Sequence, residues 1–238
     1  MSKPAKLTTT FPVDRSFDRA RMHHLGSLGL DLAGKRVLEV GAGIGELTWF
    51  WEDLGCEVIS TEVRDLNVNY ARLKYPHRTV LERDVTKKGS HRDLGMFDIV
   101  FCYGLLYHVP DPGFVIADLG ELCTELFLVE SMVDANDGPP QADQRQEYIG
   151  INHGIYNLAC TPTRSWFMQE LSRNFPYVYA TKTQPKSQYF PLSWPVPQPH
   201  LARSVFVASY QELVLDSLST TLLNEQTYWE EPDAGKAV

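Results

Sequence analysis

The first half of the chain alternates short apolar runs with longer amphipathic stretches. Five apolar runs predict buried strands at residues 37–40, 57–61, 78–84, 96–104 and 125–131. The helix-length stretches between them lie at residues 46–54, 66–75 and 113–122. Strands that alternate with helices indicate crossover connections and a parallel sheet covered on both faces. We therefore predict a doubly wound α/β fold.

The second half of the chain follows a different pattern. Residues 132–160 are polar and predict a long loop, which in a compact domain usually covers a site. A helix is predicted at residues 161–175, with Thr161 as its cap and Pro162 in its first turn.

Two further apolar runs follow that helix, on either side of a proline-rich loop. Residues 177–183 and 203–210 predict an antiparallel pair that completes a mostly parallel, seven-stranded sheet. The tail, residues 211–238, contains a leucine-rich amphipathic stretch that predicts either a docked helix or a homodimer contact.

Composition limits the class of protein. The chain has 238 residues, of which 43% are hydrophobic, and this favours one globular domain. It lacks both an apolar run of about 20 residues and the apolar core of a signal peptide, so we predict a cytoplasmic protein without a membrane span. The four cysteines (Cys56, Cys102, Cys123 and Cys160) are widely spaced, which predicts reduced thiols. The net charge of −8 disfavours nucleic acid as a partner.

A glycine-rich loop follows the first predicted strand. Gly41, Gly43 and Gly45 occupy alternate positions, and Glu39 precedes them. Ligands of doubly wound sheets bind at the carboxyl ends of the strands, where this loop lies. The spacing is G-x-G-x-G, whereas a dinucleotide fingerprint has G-x-G-x-x-G.

This spacing resembles motif I of the class I S-adenosylmethionine-dependent methyltransferases. The resemblance implies S-adenosylmethionine as cofactor and a Rossmann-like methyltransferase sheet. It places Glu62 at the ribose hydroxyls, Asp84 near the adenine, and the segment FDIVFCYGLLYHVPDP, which starts at Phe97, beside the methyl group. The predicted cofactor-binding residues are Glu39, Gly41, Ala42, Gly43, Gly45, Glu62, Val63, Arg64, Asp84, Val85, Tyr103 and Gly104.

A dehydrogenase is the structural alternative. Glu62 also fits the acid expected about 20 residues after a dinucleotide loop. Asp84 and the LLYHVPDP segment have no role in a dehydrogenase, so the methyltransferase is preferred.

Candidate catalytic residues follow the fourth predicted strand. A base is needed where the methyl acceptor must lose a proton, and His108 is the first candidate because histidine titrates near neutral pH. His108 could instead only shape its loop. Tyr107 and His153 are further candidates, and the choice between oxygen and nitrogen as acceptor stays open. No metal is predicted, because a polar turn explains Asp134 and Asp137 more simply than a cation does.

The order of the later segments is similar to the catalytic domain of the tRNA wobble-uridine carboxymethyltransferases. We predict methylation of a small-molecule metabolite. RNA modification is an alternative, which the arginines at 15, 19 and 21 motivate, and a cofactor-binding interaction subunit without chemistry is another.

The predicted plan is a single methyltransferase domain, residues 1–238. An N-terminal helix or lid (1–33) precedes the cofactor-binding core (34–131), and two substrate-covering insertions (132–160 and 184–202) follow it.

Overall fold

The computed structural model describes residues 14–147, 155–196 and 202–230. The helices in these ranges are α1 (Arg15–Ser27), α2 (Thr48–Asp53), α3 (Asp65–Lys74), α4 (Pro112–Gly120) and α5 (Arg164–Asn174). The strands of the main sheet are β1 (Arg36–Val40), β2 (Glu57–Glu62), β3 (Thr79–Glu82), β4 (Phe97–Tyr103), β5 (Cys123–Val133), β8 (Tyr177–Thr181), β10 (Ala202–Ser209) and β11 (Leu218–Ser219). Two small two-stranded sheets comprise β6 (Ala142–Gln146) with β7 (Leu158–Pro162), and β9 (Thr183–Gln184) with β12 (Thr227–Tyr228).

The main sheet has the order β11-β8-β10-β5-β4-β1-β2-β3. The pairs among β1 to β5 are parallel, whereas β10 runs antiparallel to both β5 and β8. The predicted doubly wound, mostly parallel α/β fold is confirmed. The sheet has eight strands rather than the predicted seven, because part of the tail pairs with β8 as β11.

Both faces of the sheet are covered, as a parallel sheet requires. Leu38 and Val40 of β1 belong to one apolar cluster, which α4 and α5 complete. Val37 belongs to the cluster on the other face, which α1 and α2 complete. Since successive strand residues point to opposite faces, this alternation buries β1 between two helical layers.

The helix after the 132–160 segment begins later than its sequence pattern predicts. Thr163 is the N-cap of α5, and its side chain accepts a hydrogen bond from the backbone N–H of Trp166. The predicted cap, Thr161, is wrong, because Thr161 and Pro162 pair with β6 as part of β7.

Two segments differ from their predicted conformation. Residues 132–160 contain the antiparallel pair β6 and β7, where a loop was predicted. The tail forms the short strands β11 and β12, and no helix lies in its described part, residues 211–230. None of the helices in the described ranges has the length and apolar character that a membrane crossing needs.

Candidate active site

The glycine loop joins β1 to α2 at the carboxyl end of β1. Gly41 has a backbone φ of +70°, which residues other than glycine rarely adopt. A Cβ at Gly41 would also lie 2.9 Å from Leu105 Cδ1 and 3.2 Å from Leu105 Cβ, so the loop passes directly against the segment after β4. A glycine is therefore required at position 41 for both conformation and space.

Gly41→Ala is expected to destabilise the fold more than Gly34→Ala. Gly34 has nearly the same φ, +69°, but nothing lies within 4 Å of an added Cβ. Both variants carry a conformational cost of roughly 1–2 kcal/mol, and the contact with Leu105 should add roughly 1–3 kcal/mol at Gly41 alone. Urea unfolding of the two variants measures the difference. Equal midpoints would show that the contact with Leu105 is unimportant.

Glu39 of β1 holds the elements around the glycine loop in place through hydrogen bonds. Its carboxylate accepts hydrogen bonds from the hydroxyls of Thr48 and Ser60, both at 2.6 Å. Glu39 is buried, and burial raises the pKa of its carboxyl group against the opposing effect of the two hydroxyl donors. These bonds link the start of α2 to β2. Among the predicted cofactor-binding residues, Glu39 therefore positions the glycine loop.

Glu62 ends β2 beside the glycine loop. One carboxylate oxygen accepts the N–H of Gly43 at 2.9 Å, and the other accepts the N–H of Arg64 at 3.0 Å. Burial raises the pKa of this carboxyl group, and the two N–H donors oppose that effect. The Asn67 side chain also donates to this carboxylate, so of its roughly four acceptor positions one remains for a ribose hydroxyl.

Asp84 lies just after β3 and contacts the polar insertion. Its carboxylate accepts hydrogen bonds from the Thr86 hydroxyl at 2.7 Å and from the Tyr156 hydroxyl at 2.5 Å. Burial alone would raise the pKa of Asp84, but the Tyr156 and Thr86 donors hold it below its ordinary value. Tyr156 thus ties residues 132–160 to the predicted adenine position, a contact that no sequence signal indicated.

A cavity of about 350 Å³ lies against Asp84. Val63, which follows β2, and Tyr156 of the insertion both line the cavity, so the cavity extends from the end of β2 to the insertion. The full lining is Val63, Glu82, Arg83, Asp84, Lys87, Ser90, Ile155 and Tyr156.

The remaining predicted cofactor residues surround the same strand ends. The N–H of Ala42 donates to the carbonyl of Thr61 at 2.9 Å, which holds the loop against β2. Arg64 precedes α3, and Val85 is buried in the core. Gly45 has φ +79° and its carbonyl accepts a hydrogen bond from Arg78 at 2.7 Å.

Tyr103 ends β4, and Gly104 follows it where the resemblance places the methyl group. The Tyr103 side chain is 5% exposed, and its hydroxyl has no hydrogen-bond partner in the described part of the chain. Burial and the nearby Glu130 carboxylate raise the pKa of Tyr103. The N–H of Gly104, the residue after β4, donates to the carbonyl of Glu130 within β5 at 2.8 Å, which extends the contact between the two strands.

Glu130 is the centre of a buried charged network. It is fully buried, and it accepts hydrogen bonds from Arg21 at 2.9 Å and from Arg203 at 2.5 Å. Arg203 also donates to the Tyr107 hydroxyl oxygen at 2.6 Å. Arg21 belongs to α1, which is thereby attached to the carboxyl ends of the central strands. Glu130 and Arg203 are not among the predicted site residues, although an acid inside the apolar run ELFLVES is an unusual feature of the sequence.

His108 lies in the turn after β4 and meets Glu147, the residue after β6. His108 Nδ1 and a Glu147 carboxylate oxygen are 2.7 Å apart. The centres of the Tyr107 and His108 rings are 4.0 Å apart, so two of the predicted catalytic residues lie side by side. The third, His153, falls outside the described residues.

Asp137, for which a polar turn was preferred over a role as cation ligand, is paired with Arg164 in the structure. The Arg164 guanidinium also lies 3.9 Å from the centre of the Trp194 ring. Among the described residues, no group of three or more His, Cys, Asp or Glu side chains could hold a metal ion.

The strand-end residues fit S-adenosylmethionine. Glu62 retains acceptor capacity for a hydroxyl, and Asp84 borders a cavity at the end of the neighbouring strand. These residues lie at the carboxyl edge of a doubly wound sheet, where such folds bind their ligands, and this is the arrangement that the resemblance to class I methyltransferases predicts.

Comparisons with known proteins agree with that class. Residues 38–123 match the family described as a methyltransferase domain. Over 99 residues the chain is 33% identical to the ubiquinone biosynthesis O-methyltransferase of Shewanella halifaxensis, which covers 40% of this chain and 42% of that protein. The match therefore spans under half the length of that curated relative.

Solved structures show the same fold over most of the chain. The N-terminal domain of EvdMO1 with SAH bound has a TM-score of 0.64 at 20% identity, covering 84% of this chain and 82% of that one. Magnesium protoporphyrin IX methyltransferase from Synechocystis PCC 6803 with bound SAM has a TM-score of 0.56 at 15% identity, covering 87% and 88%. The chain therefore has the fold of these structures solved with SAM or SAH bound, and residues 38–123 match a methyltransferase domain, in agreement with the predicted class and cofactor.

Proposed function

We propose that this protein methylates an oxygen or nitrogen of a small-molecule metabolite. The observation that carries the proposal is the arrangement at the sheet edge. Glu62 and Asp84 flank the predicted cofactor position, and Tyr107 and His108 follow β4, on the other side of β1, where Glu147 of the insertion contacts His108.

When bound, S-adenosylmethionine would supply an electrophilic methyl group. The contribution of the protein is mainly to orient the reactants, since methyl transfer is an in-line displacement. Glu62 would hold a ribose hydroxyl and Asp84 the adenine end. His108 and Tyr107 would contact the acceptor and remove a proton where the acceptor carries one.

Two contacts of the insertion support a small acceptor. Tyr156 reaches Asp84 at one strand end and Glu147 reaches His108 at another, so both described parts of the insertion contact the site. These contacts favour an enclosed acceptor position over an open surface for a macromolecule. The net charge of −8 and the printed name of the ubiquinone biosynthesis O-methyltransferase relative point the same way.

Glu62→Ala is expected to weaken S-adenosylhomocysteine binding by about tenfold to a hundredfold. A hydrogen bond to a charged group contributes about 1.5–3 kcal/mol, and this variant removes the acceptor. Glu57→Ala is the matched control, because Glu57 begins the same strand and its side chain is 68% exposed. Calorimetric titration measures both affinities. Unchanged binding in Glu62→Ala would contradict the assigned cofactor position.

Methyl transfer from radiolabelled S-adenosylmethionine into a cell extract tests the proposed acceptor class. The extract is then separated into RNA, protein and small-molecule fractions. We expect label in the small-molecule fraction, and we expect Glu62→Ala to abolish it. Label in RNA would favour the wobble-uridine alternative, and an absence of label in all three fractions would favour an interaction subunit without chemistry.

A cytoplasmic location belongs to the same proposal. All four cysteines are free, which is typical of a reducing compartment. The homodimer stays a prediction from the leucine-rich tail, and sedimentation velocity tests it.

A further inference from the structure

Glu147 brings a buried carboxylate to the turn after β4. Its side chain is 5% exposed and that of His108 is 12% exposed, and their contacting atoms lie 2.7 Å apart. Glu147 is also held by its backbone, because its N–H donates to the carbonyl of Asn157 at 2.9 Å. The pair joins residues 39 positions apart in the chain, so it depends on the folded insertion.

Among the described residues, Glu147 is the carboxylate that contacts the His108 imidazole. From β6, Arg145 lies 3.5 Å from the same Glu147 oxygen, with its side chain 38% exposed. From β7, Cys160 donates its thiol to the carbonyl of Leu106, and burial raises its pKa to about 12, so it stays neutral. On the other side, the Tyr107 ring packs against His108, with Arg203 bonded to its hydroxyl.

A carboxylate at Nδ1 determines which histidine nitrogen carries the proton. Glu147 can only accept a hydrogen bond when ionised, so Nδ1 must donate and the lone pair lies on Nε2. The same carboxylate stabilises the positive imidazolium that forms when Nε2 takes up a proton. This is the arrangement that orients a histidine as a general base.

We propose that Glu147 is a positioning residue that holds His108 as a base toward a hydroxyl group of the acceptor. The inference rests on the proposed function and makes it more specific, because a hydroxyl must lose its proton as its oxygen is methylated.

The proposed step is balanced. The hydroxyl proton moves to His108 Nε2 while the acceptor oxygen forms the new bond to the methyl carbon. The electron pair of the broken carbon–sulfur bond stays on sulfur, which becomes neutral. The positive charge therefore ends on the imidazolium, beside the Glu147 carboxylate, until solvent takes the proton.

The first test measures the His108 tautomer and needs no acceptor. Nitrogen-15 NMR of labelled full-length protein near pH 8 separates the two ring nitrogens, and the His108→Asn variant identifies the signals among the seven histidines. We expect the proton on Nδ1 in the wild type and a shift toward the Nε2–H form in Glu147→Gln, because an amide can donate to Nδ1. A wild-type Nε2–H tautomer would overturn the proposal.

The second test measures turnover with the small-molecule fraction that accepts label. Glu147→Gln is expected to lower kcat by about tenfold to a hundredfold, with KM changed by less than about threefold, and to move the acidic limb of the kcat profile to lower pH. Binding of S-adenosylhomocysteine should stay within about twofold of wild type, which shows that the variant is folded. Glu125→Gln is the control, since its carboxylate pairs with Lys35 away from the site. Equal kcat and an equal pH profile in Glu147→Gln and the wild type would overturn the proposal.

The chemical linkage of the product decides the acceptor group. A methyl ether supports the inference, and an N-methyl product or a methyl ester overturns its hydroxyl part. If no small molecule accepts label, the proposed function fails, and the tautomer measurement still decides whether Glu147 positions His108.

Discussion

Glu130→Ala is expected to lower the free energy of unfolding by about 3–5 kcal/mol, the usual cost of removing one partner from a buried ion pair. Glu130 is fully buried and contacts both Arg21 and Arg203. Without its carboxylate, each guanidinium group loses one acceptor while it stays largely away from water, although Arg21 still donates to Asp18 and Arg203 to the Tyr107 hydroxyl. Urea unfolding at neutral pH measures the loss.

Glu125→Ala supplies the matched control on the same strand. Glu125 pairs with Lys35, but its side chain is 39% exposed, so the loss should be at most about 1 kcal/mol. If Glu130→Ala were no more destabilising than Glu125→Ala, the buried network would not hold α1 to the sheet. A second expected effect is functional, because Arg203 would lose the partner that fixes it against Tyr107.

The central sheet could be predicted because its signal is local. β1 to β5 are short apolar runs between helical stretches, and parallel strands bring their carboxyl ends to one edge. That rule alone places Glu62 and Asp84 near each other before any coordinates are known. The glycine spacing then restricts the ligand.

The insertion could not be predicted in the same way. β6 has the sequence ADQRQ, which lacks the alternation of apolar and polar residues that marks a half-buried strand. Its pairing with β7 also moves the start of α5 from Thr161 to Thr163, since either threonine could cap a helix and tertiary pairing decides between them.

The contacts that the insertion makes in the site are long-range. Tyr156 and Asp84 are 72 residues apart in the chain, so no local pattern reports their hydrogen bond. Glu130 is the contrary case, because a charged residue within an apolar strand is visible in the sequence. The apolar run around Glu130 predicts the strand without giving this acid a role.

Acid is expected to destabilise the protein through two buried histidines. His24 and His91 are both fully buried, and burial lowers the pKa of each to about 4 from 6.5. Above pH 6.5 neither the folded nor the unfolded state protonates them. Between pH 6.5 and pH 4 the unfolded state takes up protons that the folded state rejects, so stability falls as the pH falls. The loss should reach about 2 kcal/mol for each histidine at about pH 5, and about 3 kcal/mol below pH 4.

Urea unfolding at about pH 7.5 and about pH 5 measures this loss, and variants separate it from other titrations. His24→Gln should remove about half of the acid-induced loss of stability that the two histidines cause, whatever the effect of the substitution on stability at neutral pH. His77→Gln should leave it unchanged, since the His77 side chain is 65% exposed. Glu39 and Glu62 act in the opposite direction, because burial raises their pKa values and protonation then favours the folded state. The comparison between variants is therefore the decisive measurement, and equal pH dependence in His24→Gln and His77→Gln would refute the assignment to His24.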